Sequence, residues 1–68
     1  MNRSALRTAI LVALRDGPIS VQDLATMLDS PDAPQPRIAW TLAHLAASGR
    51  VRRIALGRSG VLWKLVDT

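Results

Sequence analysis

The residues here with most chemistry to offer are nine basic side chains and a single histidine, and they are unevenly placed. Residues 1–33 set Arg3, Arg7 and Arg15 against Asp16, Asp23, Asp29 and Asp32, a net charge of −1. Residues 34–68 set Arg37, Arg50, Arg52, Arg53, Arg58 and Lys64 against Asp67, a net charge of +5. Positive charge gathered in one half suits a polyanion, nucleic acid first among them; the competing reading is charge that only keeps a small protein soluble. Catalysis has little to work with. There is no cysteine and no tyrosine, His44 stands alone, and no two carboxylates pair, so an enzyme is not expected. His44 also lacks a second ligand nearby and thiolates are absent, so neither metal nor cofactor is expected.

The side chains best suited to reading a base edge fall in one segment. On a helical wheel Ile38, Leu42 and Leu45 cluster with Ala46 beside them, and Arg37, Trp40, Thr41, His44 and Ser48 are expected on the opposite arc. Arg37 could fork onto guanine, and Thr41 and His44 could donate or accept hydrogen bonds. For Arg37 and His44 the plain alternative is a solvated helix surface. Trp40 could stack on a sugar or a thymine methyl, or fold down over the edge of the core, which is the preferred reading. Arg58 sits between glycines, where phosphate or minor-groove contact gives it a purpose. The Arg52-Arg53 pair must point to both faces of a strand.

Those side chains need elements to position them. A chain of 68 residues builds one small domain, here taken as 1–68, and buries only about 60% of its unfolded surface. No apolar run approaches the ~18 residues of a membrane span, and Met1-Asn2-Arg3-Ser4 does not open a signal peptide, so a cytoplasmic protein is expected. Leu6, Ala9, Ile10, Ala13 and Leu14 recur at i, i+3, i+4, i+7 and i+8 and form one stripe of a helix over residues 4–15, capped by Asn2 or Ser4 and ended by Asp16-Gly17-Pro18. Leu11 and Val12 lie off that stripe and are the expected contact of a homodimer on DNA. Ser20 and Asp23 form a capping box before a short second helix ending near Leu28. A turn with three prolines spans 29–36. Pro36 lacks an N–H and can sit no deeper than the third helical position, so the N-cap of helix three is Ala33, Pro34 or Gln35. That helix is expected to end at Ser48 with Gly49 as its left-handed cap. Val51 to Leu56 and Val61 to Val66 read as strands joined by Gly57-Arg58-Ser59-Gly60, with Trp63 and Leu65 on a core face and Lys64 opposite.

The fold class expected is therefore α+β, three helices followed by a two-stranded β-hairpin. The ordered set Gly17-Pro18-Ile19-Ser20, Leu24-Ala25-x-x-Leu28, Ile38-x-x-x-Leu42-x-x-Leu45, Gly49-Arg50-Val51-Arg52-Arg53 and Trp63-x-Leu65 resembles the winged helix-turn-helix family of bacterial and phage transcription regulators. The resemblance covers about residues 4–66, with a longer, proline-rich turn before helix three than the family's usual tight turn. It implies sequence-specific binding to double-stranded DNA, with a recognition helix over about 35–48 in the major groove and a wing over 51–66 on the backbone or minor groove. Carried over, Gln35, Arg37, Trp40, Thr41 and His44 are the recognition positions and Arg58 the wing tip. Arg50, Arg52, Arg53 and Lys64 are expected along the hairpin against phosphates. Two other readings compete. One is a protein-interaction winged helix, favoured by Leu11, Val12 and Trp40. The other is Z-DNA or double-stranded RNA binding, suggested by Val61-Leu62-Trp63-Lys64-Leu65; it is opposed by Ala39 and Ala43, which stand where that family needs an asparagine and a tyrosine, and by a wing without its prolines.

Overall fold

The structure is a computed structural model, and it describes residues 2–66. Helix α1 spans Arg3–Ala13 and starts where the Asn2 Oδ1 accepts the Ala5 N–H at 2.7 Å, filling one of the orphan donors of a helix start. Leu6 and Ile10 face inward and are buried. The helix ends sooner than its apolar stripe suggests, tightening into a 3-10 turn over Leu14–Asp16 that keeps Leu14 in the core. Gly17 then takes φ 134°, a backbone state L-residues rarely adopt, and reverses the chain.

Ile19 does more than link helices. Its N–H donates to the Trp63 carbonyl at 2.9 Å and its carbonyl accepts the Trp63 N–H at 2.8 Å, a one-residue third strand. Helix α2, Val21–Leu28, follows at once, with the Ser20 Oγ accepting the Asp23 N–H at 3.1 Å. So short a helix cannot hold itself together; buried Leu24 ties it to the core. Asp29 ends it in the left-handed conformation, φ 41°, a state aspartate tolerates better than most residues.

Helix α3 spans Gln35–Ala47 with Pro34 as N-cap and Pro36 as its second residue, so the missing proline amide falls among donors that have no partner anyway. At the other end the Gly49 N–H donates to the Ala46 carbonyl and the Arg50 N–H to the Leu45 carbonyl, at 3.0 and 2.9 Å. This paired closure is a Schellman motif, and it requires the positive φ of Gly49, 76°. The chain leaves it directly into strand β1, Val51–Ala55, antiparallel to β2, Val61–Leu65. The register pairs Val51 with Leu65, Arg52 with Lys64 and Arg53 with Trp63.

Leu6, Ile10, Leu14, Leu24, Ile38 and Leu42 are almost wholly excluded from solvent, and Leu45, Val51 and Trp63 close the core around them. Fully burying each such side chain contributes roughly 1.5–3 kcal/mol, the main force available to a chain without disulfides. Three helices followed by a two-stranded antiparallel hairpin is the α+β layout of a winged helix.

Candidate nucleic-acid interface

Core packing decides which edge of α3 faces outward. With Ile38, Leu42 and Leu45 buried, Gln35, Arg37, Trp40 and His44 are exposed, as the sequence reading expects. Thr41 is a correction. It is only 4% exposed, and its hydroxyl donates to the Arg37 carbonyl at 2.9 Å. The reason is helical spacing: Thr41 follows Ile38 by three residues and precedes Leu45 by four, so it lies on their face. It cannot reach a base edge. The outermost arc is instead Pro36, Trp40, Ala43 and Ala47, all exposed. Apart from the Trp40 indole N–H, side-chain hydrogen-bonding capacity thus lies with Gln35 at the helix start and with Arg37, His44 and Ser48 on one flank.

Trp40 does not fold over the core. It is 49% exposed, its ring centroid lies 3.9 Å from that of His44 at an interplanar angle of 46°, and the Arg3 guanidinium carbon is 5.4 Å from the ring centroid. A guanidinium at this distance over an indole is a cation–π contact. Arg7 and His44 line one shallow hollow with Ser48 and Arg50. Arg3 and Arg7 therefore flank α3, a role the sequence reading missed. Their i, i+4 spacing places both on one side of α1, but nothing in the sequence says that α3 lies beside it.

The hairpin sorts its cations by strand parity. Val51, Arg53 and Ala55 share the face of Trp63, which packs on the helices; Val51 is buried there and Arg53 projects, exposed. Arg58 occupies the tip, in a 3-10 turn over Gly57–Ser59, also exposed. The tip approaches the start of α3: Gln35, Ser59 and Gly60 line a common groove of about 580 Å³ with Ser20 and Asp23 from the start of α2.

Arg52 and Lys64 belong elsewhere, and Arg50 borders both surfaces, since it also lines the hollow with Arg7 and His44. Arg52 and Lys64 face each other across the register on the outer side of the sheet. They line a hollow with Leu65 and Val66. Arg50 lines a neighbouring groove with the same two residues and with Arg15. The hairpin cations are thus divided between two surfaces.

Leu11 is half-buried and packs against the core, while Val12 is 49% exposed. Among the described residues no three His, Cys, Asp or Glu side chains gather closely enough to hold a metal ion. No helix among them is long and apolar enough to cross a membrane. No family model matches the chain, and no curated protein matches it.

Proposed function

We propose that this chain binds double-stranded DNA and regulates transcription, with the exposed edge of α3 in the major groove and the hairpin tip along the backbone. The observation that carries the reading is the shared groove of Gln35 with Ser59 and Gly60, which brings the start of α3 and the Arg58-bearing tip to one side of the molecule. A major groove about 12 Å wide accepts one helix. Arg37 supplies a fork for guanine, Gln35 a matching pair for adenine, and His44 a further donor or acceptor. Arg53 and Arg58, with Arg3 and Arg7 beside α3, then neutralise phosphates on either side.

A second reading is favoured by the arc of Pro36, Trp40, Ala43 and Ala47, which offers apolar contact and few hydrogen bonds. In that reading α3 docks on another protein. Titration of the folded chain with random-sequence duplex at low and high salt separates them. DNA binding predicts affinity at about 50 mM salt that falls steeply with added salt. A folded chain with no measurable affinity there would leave only the protein-docking reading.

A further inference from the structure

A groove of about 560 Å³ runs between α1 and the seam where α3 ends and the strands begin, far along the fold from the hairpin tip. Its apolar floor is Leu11, Val12, Leu65 and Val66, with Val12 and Val66 among the exposed large hydrophobics. Arg15 and Arg50 stand on its rim. The adjoining hollow adds Arg52 and Lys64 around the same Leu65 and Val66, and a third hollow joins Arg15 to Lys64 beside Leu65. Among the described residues no acidic side chain lines any of the three.

Four cations around one apolar strip repel each other, and Arg52 directly opposite Lys64 is a like-charge cross-strand pair, which destabilises a hairpin. The geometry points to an acidic amphipathic helix of a partner protein as the occupant of this groove, its apolar ridge on Val12 and Val66 and its carboxylates on Arg15, Arg50, Arg52 and Lys64. Such a helix presents apolar residues at i, i+3, i+4 and i+7 with charges alongside, which is the pattern of the groove in complementary form. The charge pattern disfavours the other occupants. A phosphate backbone gains nothing from exposed valines. A second copy related by a two-fold axis would carry the same four cations into the interface.

The test uses the isotope-labelled full chain and a synthetic peptide with Leu at i, i+3, i+4 and i+7 and Glu on both flanks, titrated at about 50 mM salt and followed by backbone amide shifts. Shifts should centre on Leu11, Val12, Leu65 and Val66. Val12→Asp, and separately Arg15→Glu with Arg50→Glu, should weaken binding at least about tenfold while circular dichroism stays unchanged, since all three side chains are exposed. If the double variant unfolds, the peptide with Lys in place of Glu carries the charge arm on the unaltered chain, and it should not bind. The proposal is overturned if a peptide with Gln in place of Leu binds equally well, because the surface then reads charge alone. It is overturned too if duplex DNA shifts the same amides, or if the chain sediments as a dimer that Val12→Asp dissociates.

Discussion

Removing Arg58 should change how DNA binding depends on salt more than how it depends on sequence. The tip is exposed and its turn is flanked by Gly57 and Gly60, a poor platform for fixed base contacts but a good one for phosphate. Four cations are proposed to meet phosphates: Arg3 and Arg7 on α1, and Arg53 and Arg58 on the hairpin, all exposed. At about −0.9 per neutralised phosphate, four contacts give a log–log slope of about −3.6, or a roughly 150-fold loss between 50 and 200 mM salt. Arg58→Ala should flatten the slope to about −2.7, a roughly 40-fold loss over the same range. The double substitution Arg52→Ala with Lys64→Ala removes more charge than Arg58→Ala, yet should leave the slope unchanged, because that pair lies on the outer face of the sheet. Fluorescence anisotropy of a labelled random duplex across a salt series reads all three proteins. A flattened slope for the double variant and an unchanged one for Arg58→Ala would refute the assignment of the tip to phosphate and of the outer face to another partner.

Arg37→Ala should lower the ratio of specific to random affinity by about 1–3 kcal/mol, the value of a good bidentate base contact. Thr41→Val, which deletes a buried hydroxyl, should leave that ratio where it is; competition between specific and random duplexes decides both. Gly49→Ala meets no neighbouring atom within 4 Å, so its cost is the backbone conformation alone, about 1 kcal/mol, seen as a fall in Tm of roughly 4–8 °C. A fall under a degree would mean that the end of α3 can close without the left-handed residue. Leu42→Ala leaves a hole at a wholly buried position and should cost roughly 2–5 kcal/mol, comparable with the ~3–5 kcal/mol that holds so small a core together. Thermal melts should show a largely unfolded chain at 37 °C; a cooperative melt near that of the unaltered protein would contradict the packing.

Local chemistry made much of the fold legible. Pro36 bounded the start of α3 because a residue without an N–H is tolerated only where amides lack partners, and Pro34 is indeed the cap. Gly49 announced the end of α3, and Trp63-Lys64-Leu65 announced strand parity. Less visible were features that depend on partners distant in sequence. Ile19 looks like a link until Trp63 is placed beside it, since its strand character consists of two hydrogen bonds to one residue. The 3-10 turn after Ala13 has the same origin: contacts between this turn and β2 hold Leu14 inward where the α-helical path gives way.

The candidate interface was legible one helix at a time and no further. Arg37, Trp40 and His44 are outward because Ile38, Leu42 and Leu45 are inward, and that much is periodicity. Thr41 failed for a reason within the same periodicity. A polar side chain three and four residues from core positions is buried with them, and its hydroxyl turns back to the Arg37 carbonyl to satisfy itself. Charge told still less, because a run such as Arg50-x-Arg52-Arg53 has no direction until strand register supplies one. Register sends Arg53 to the side of Trp63 and sets Arg52 against Lys64. One basic segment thereby serves two surfaces of different character, one polar and close to α3, the other apolar at its centre. The second surface holds like charges together at a cost in folding stability, and a bound carboxylate-bearing helix would offset that cost.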